Sequence, residues 1–168
     1  KDARGNRLAH TIAFADGELA EKLAHRPALR DEPASGTRVS ISPNPKYFDS
    51  ATIPLGELER LLRSKAVLLP GVKVTLFIEK SGETRQWQYD EGLRGYLLEE
   101  LAQEPEAEPL VLFEDQQYAA AGDDSFAEGE GAHWVVAFTE AGPLARESYV
   151  NLIPTPAGGT HESGPVPY

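Results

Sequence analysis

Apolar and polar positions along the 168 residues follow a readable order. Leu8 to Phe14 is an apolar-rich stretch of strand length. Asp16-Gly17 is a turn pair, and Glu18 to Leu23 reads as a second short element. Arg26 to Ala34 reads as a loop. From Gly36 to Ser42 the pattern alternates, with Thr37, Val39 and Ile41 on one side; this predicts a half-buried strand that Pro43-Asn44-Pro45 ends. Leu55, Leu58, Leu61, Leu62, Ala66 and Leu69 recur at three and four, predicting a helix over 54–69 with Pro54 in its first turn and Pro70-Gly71 as its stop. Val72 to Glu79 and Thr84 to Tyr89, joined at Ser81-Gly82, predict a hairpin. Asp90 is the expected cap of the next helix, whose stripe is Leu93, Tyr96, Leu97 and Leu101 and which runs to about Ala102.

Gln103 to Pro109 is acidic and carries two prolines, which marks a linker or domain boundary. Leu110 to Phe113 starts a further strand, and Ala119 to Gly131 reads as a small, acidic, mobile loop. His133–Thr139 and Glu147–Ile153 read as strong strands, expected as antiparallel neighbours across Ala141-Gly142-Pro143. Trp87 and Trp134 fall inside strands and are expected in the core. The fold class is α+β: strands, helix, hairpin and helix, then a mostly antiparallel sheet.

Charge adds an asymmetry that hydropathy does not show. Residues 1–103 hold 15 Lys/Arg and 15 Asp/Glu, whereas residues 104–168 hold Arg146 against 12 acidic residues and so carry the whole net charge of −11. The acidic part is expected to repel nucleic acid and anionic membrane surfaces, because phosphate binding relies on Lys and Arg. No apolar run approaches the ~20 residues of a membrane-spanning helix. The absence of cysteine excludes disulfides, thiolate metal sites and cysteine nucleophiles, and fits a cytoplasmic protein. A chain that opens on Lys1 and holds no methionine reads as an internal piece of a longer polypeptide.

Several blocks carry more specific information: Ser35-Gly36-Thr37-Arg38-Val39, Lys46-Tyr47-Phe48-Asp49-Ser50, Lys65-Ala66-Val67-Leu68-Leu69-Pro70-Gly71-Val72, Tyr89-Asp90-Glu91-Gly92-Leu93 and the stretch from Glu147 to Gly164 with its Gly158-Gly159-Thr160-His161 turn. In this order they resemble the ATPase subunits of type IIA DNA topoisomerases, the topoisomerase IV type ahead of the gyrase B type. The resemblance implies that residues 1–105 are the C-terminal part of an ATP-binding domain of the Hsp90, gyrase and histidine-kinase type. Residues 106–168 would be the opening strands of a transducer domain similar to domain 2 of ribosomal protein S5. For the intact protein it implies ATP and Mg2+ as cofactors. The implied partners are DNA, the A-type subunit of topoisomerase IV, and a second copy of the same protein.

By the same resemblance, Thr37 helps to hold the adenine through an ordered water, and Val39 lines the apolar side of that pocket. A hydroxyl both donates and accepts, which suits a water-bridged base contact. The family's general-base glutamate, magnesium-binding asparagine, adenine-reading aspartate and Gly-rich lid fall before Lys1, and its phosphate-reaching Gln-Thr-Lys loop falls after Tyr168. No catalytic or metal-binding residue is therefore assigned here, and the chain alone is expected to be inert toward ATP and to bind it weakly. The Pro165-Val166-Pro167-Tyr168 end departs from the long helix that the family places there.

The remaining polar residues have plainer readings. His10, His25, His133 and His161 lack metal-ligand spacing and read as surface or structural groups. Glu99-Glu100 and Asp123-Asp124 are adjacent carboxylates, expected on different faces and in solvent. Gly129, Gly131, Gly158 and Gly159 lack the Lys and Ser/Thr of a phosphate-cradling loop. From residues alone, a free-standing acidic α+β module that binds a protein partner stays open beside the topoisomerase reading.

Overall fold

The computed structural model describes residues 5–50, 52–103, 109–122, 124–142 and 146–159. The centre of the expected linker (104–108), Asp123, residues 143–145 and everything from Thr160, including His161 and the Pro165–Tyr168 end, lie outside them. The chain forms two units, Lys1–Ile53 and Pro54–Tyr168. The elements are α and β mixed, as the α+β expectation has it.

The first unit is built on one antiparallel hairpin, β1 (Leu8–Ala15) with β2 (Glu18–Pro27). Asp16 and Gly17 both take positive φ, 53° and 84°, the two left-handed positions that a tight hairpin turn requires. The second strand runs four residues beyond the expected Leu23, because the ladder continues to the Leu8↔Pro27 pair. Glu32 closes the loop that follows. Its carboxylate accepts from Arg26 at 2.5 and 3.0 Å and from the Leu29 amide at 2.7 Å. Arg7 adds donors to the Glu32 and Leu29 carbonyls.

The strand expected over Gly36–Ser42 does not form. Residues 37–42 have no ladder partner among the described residues, and Val39 and Ile41 stay 74% and 81% exposed. An alternating pattern records only that one face is apolar. A strand also needs a neighbour to take its N–H and C=O groups. Beyond it, Asn44 donates to Asp16 and its side chain accepts from the Lys46 amide, which turns the chain at Pro43–Pro45.

The second unit packs around α1 (Leu55–Leu68), the hairpin β3 (Val74–Ile78) with β4 (Glu83–Trp87), and α2 (Gly92–Ala102). Its buried centre is Ala66, Val67 and Tyr89, flanked by Val74, Trp87, Leu93 and Tyr96. The buried positions of α1 are Ser64, Ala66 and Val67; of the predicted stripe Ala66 is buried and Leu58 and Leu62 are half-buried, whereas Leu55, Leu61 and Leu69 are exposed. Packing against β3 and α2 thus covers one side of the stripe together with Ser64 and Val67 beside it. Pro54 precedes the helix, and its carbonyl accepts from the Leu58 amide.

The cap of α2 is Glu91 instead of Asp90, which accepts a hydrogen bond from Gln88. Gly92 has φ +53°, and a Cβ there would lie 3.0 Å from Pro70 Cγ and 3.4 Å from the Val67 carbonyl. The end of α1 and the start of α2 approach this closely only because position 92 is glycine.

The remainder of the unit is a long ribbon, β5 (Pro109–Tyr118) with β6 (Gly131–Thr139), and a very short one, β7 (Tyr149–Val150) with β8 (Ile153–Pro154). The loop between β5 and β6 is tied by backbone bonds from Ala119 to Glu130 and from Gly129 to Ala119. Helix α2 packs against β6, and His133, Val135 and Ala137 on that strand are half-buried. On the opposite face Val111, Phe113, Trp134, Val136 and Phe138 are exposed, so Trp134 is not in the core as expected, whereas Trp87 packs against it.

Glu147–Ile153 is not a strand beside β6. Asn151 and Leu152 take φ of 48° and 68°, which folds the stretch back on itself, and β6 pairs with β5 instead.

Candidate functional site

Two places carry chemistry. The first is the residue pair singled out in sequence, Thr37 and Val39. Both lie in the irregular stretch of the first unit, exposed to solvent. The Glu32 pKa is lowered chiefly by its hydrogen bonds from Arg26 and the Leu29 amide, and the charge of Arg38, between Thr37 and Val39, adds a small part. The structure thus presents an exposed hydroxyl and an exposed apolar side chain two residues apart.

The second place was not read from sequence. Arg63, on α1, reaches toward α2. Its Nε donates to Tyr89 Oη at 2.9 Å, and its Nη2 donates to Glu99 at 3.0 Å and Glu100 at 2.6 Å. Its guanidinium sits over the Tyr96 ring, 4.9 Å from the centroid. Tyr89 and Tyr96 meet edge to face with ring centres 5.7 Å apart. Adjacent Glu99 and Glu100 thus converge on one guanidinium, a pairing the sequence did not show, while Glu99 stays exposed to solvent as expected and Glu100 is half-buried. A planar cation with five donors spans two carboxylates that no single helix face could pair.

The network continues into the segment after β6. Tyr96 Oη donates to Glu147 Oε1 at 2.8 Å, and Tyr149 Oη donates to the other oxygen of the same carboxylate. Lys65 Nζ donates to the Leu152 carbonyl. Partial burial pushes the Tyr96 and Tyr149 phenols well above their ordinary pKa, and the Glu147 charge pushes the same way, so both stay protonated donors. Burial also opposes the charge on Arg63, but the Tyr89 hydrogen bond and the Glu100 charge outweigh it and raise its pKa.

A third contact ties α2 to the ribbon: Arg94 lies 3.9 Å from Glu114, whose other oxygen is 3.0 Å from His133 Nε2. Of the other histidines, His10 and His25 face each other across the first hairpin with ring centres 5.9 Å apart. Among the described residues no three His, Asp or Glu side chains gather where they could hold a metal ion. No described helix is long and apolar enough to cross a membrane.

No protein-family model matches the chain. Individual relatives do. The B-type subunit of DNA topoisomerase 4 from Pseudomonas aeruginosa is 34% identical over 165 residues, 98% of this chain. Its namesake from Haemophilus influenzae is 39% identical over 161 residues, 95% of the chain. This chain belongs to the family of topoisomerase IV B-type subunits. It spans about a quarter of the relatives' length, 24% in both cases.

The solved topoisomerase IV ATP-binding domain of Francisella tularensis, in complex with a small-molecule inhibitor, has the same fold. Its TM-score is 0.56 at 29% identity, covering 95% of this chain and 39% of that one. The α+β elements described above are therefore part of a topoisomerase IV ATP-binding architecture.

The Arg63 network escaped sequence reading because its members come from four separate blocks. One signal was present: Lys65, Tyr89, Glu147 and Tyr149 all fall inside the strings that carry the family resemblance.

Proposed function

We propose that this chain is part of the ATP-hydrolysing subunit of a type II DNA topoisomerase, the enzyme class that passes one duplex through another to unlink and relax DNA. The observation that carries the reading is the match of nearly the whole chain to about a quarter of the length of topoisomerase IV B-type subunits at 34–39% identity. The intact protein works in the cytoplasm with DNA, an A-type partner and a second copy of itself. Residues up to about 105 complete an ATP-binding domain, and those from about 106 open the transducer.

Thr37 and Val39 are the nucleotide-binding residues of this stretch. Their chemistry fits an adenine: a hydroxyl that donates and accepts, beside a valine left 74% in solvent. The remaining wall of that pocket, and the partner strand that residues 37–42 do not find among the described residues, come from the rest of the intact protein. Hydrolysis of ATP requires a positioned water, magnesium and charge stabilisation together. The family resemblance assigns none of these to this stretch, and the chain by itself is expected to show no ATP turnover above background.

The test starts from the reading frame that contains this chain. Its full-length product is expected to hydrolyse ATP and, with its A-type partner, to unlink catenated DNA circles. Thr37→Ala in that product weakens nucleotide affinity about fivefold, the scale of one lost hydrogen bond, without lowering the melting temperature. A full-length product that folds but binds no ATP overturns the reading. So does a frame without ATP-site residues upstream, which favours the acidic protein-binding module instead.

A further inference from the structure

The first hairpin brings together two side chains that lie far apart in sequence. His10 of β1 and His25 of β2 are direct register partners, within the regular run of pairs from Leu8↔Pro27 to Thr11↔Ala24. Residues opposite each other in an antiparallel pair project to the same face, so both imidazoles stand on one side of the ribbon. Their ring centres are 5.9 Å apart, with the planes inclined at 40°. Both residues are exposed, and neither side chain takes part in a hydrogen bond or an ion pair among the described residues.

That spacing has a chemical meaning. An ion about 2.0–2.1 Å from an imidazole nitrogen lies roughly 3.2 Å from the ring centre, so two rings on one ion have centres at most about 6.4 Å apart, and about 5 Å apart at a tetrahedral angle. A separation of 5.9 Å falls inside that limit. Rotation of two unengaged side chains covers the rest, while the ladder holds the backbone on one side of the pair and the bond from the Ala28 amide to the Arg7 carbonyl holds it on the other. Strand alternation sends the neighbouring Arg26 to the opposite face, where Glu32 takes its guanidinium, so no cation next in sequence stands beside the two rings.

We infer that His10 and His25 form a binding site for a divalent ion of the zinc, nickel or copper class, with water completing the coordination. Imidazole suits these metals, whereas Mg2+ prefers oxygen ligands and is not selected by this pair. With two protein ligands the site binds more weakly than one with three or four. A bound ion bridges the two strands and stabilises the folded hairpin. The site is separate from the nucleotide chemistry proposed above and does not depend on it.

The test is a titration of the chain with Zn2+, followed by NMR of the histidine ring protons. The expected result is that the His10 and His25 signals shift together and saturate at one ion per chain, while those of His133 and His161 stay in place. Mg2+ moves neither. By calorimetry, Cu2+ binds more tightly than Zn2+, as the affinity order of these metals requires. His10→Gln and His25→Gln each weaken Zn2+ binding about tenfold or more, since losing a ligand costs at least as much as losing an outer partner of one. Zn2+ raises the melting temperature of the wild type and not that of either variant.

No saturable shift at His10 and His25 overturns the inference, and the wild-type titration alone decides this whether or not the variants fold. Equal responses from all four histidines overturn it too, because they report unspecific binding. So does a single variant that binds Zn2+ as the wild type does.

Discussion

Truncating Val67 to alanine tests which side of α1 faces inward. Val67 is 1% exposed and packs with Ala66 and Tyr89 at the centre of the second unit. The substitution removes two methyl-sized groups, worth about 0.8 kcal/mol each in transfer from water. A void that does not collapse adds roughly 1 kcal/mol more. The expected loss is therefore about 2–3 kcal/mol. Leu61→Ala deletes a larger side chain, yet Leu61 is 41% exposed, so its loss should stay at about 1 kcal/mol or less. The assay is urea unfolding of the chain, followed by tryptophan fluorescence, because Trp87 packs against the same cluster. If Leu61→Ala costs as much as Val67→Ala, the Leu61 side of the helix faces the core and the inward side assigned to α1 is wrong.

Two further outcomes follow from other local geometry. Glu32 is held at a pKa of about 2, first by its hydrogen bonds from Arg26 and then by the Leu29 amide; pairing therefore stabilises the folded hairpin fully above the ordinary glutamate value of 4.5 and is lost as pH falls toward about 2. Carboxyl NMR should show that low midpoint in the wild type and an upward move in Arg26→Gln, and a midpoint near 4.5 in both would refute the pairing. Gly131→Ala places a Cβ against the Gln117 carbonyl and 2.7 Å from Tyr118 Cα, so it should cost about 1–3 kcal/mol and fray the Tyr118 end of the β5–β6 ribbon; unchanged amide exchange at Ala119 would contradict this.

What was legible in the sequence is what depends on neighbours along the chain. The Asp16-Gly17 and Ser81-Gly82 turns, the hairpins they close or join, and both helices needed only local residue chemistry, and their positions match within a few residues. The failures share one cause: each required knowing a distant partner. Thr37 to Ser42 alternates like a strand but has nothing to pair with among the described residues. Glu147–Ile153 has strand composition, yet Asn151 favours the left-handed turn, and Lys65, 87 residues away, secures Leu152 beside it. The pairing of Glu99 and Glu100 was hidden because their shared partner Arg63 lies 36 and 37 positions earlier. The family resemblance was stronger than any of these local readings because it rests on residue strings, which carry the outcome of distant contacts without spelling them out.

The exposed face of the β5–β6 ribbon also bears on how the chain behaves in solution. Val111, Phe113, Trp134, Val136 and Phe138 form a row of apolar side chains on a two-stranded ribbon whose outer edges are unpaired among the described residues. Such a row invites contact between copies, and here the opposing term is the net charge of −11. Colloidal stability then depends on ionic conditions more than on folding. Salt that screens the repulsion, or acidification toward the isoelectric point near 4.8, should bring the molecules together while each remains folded.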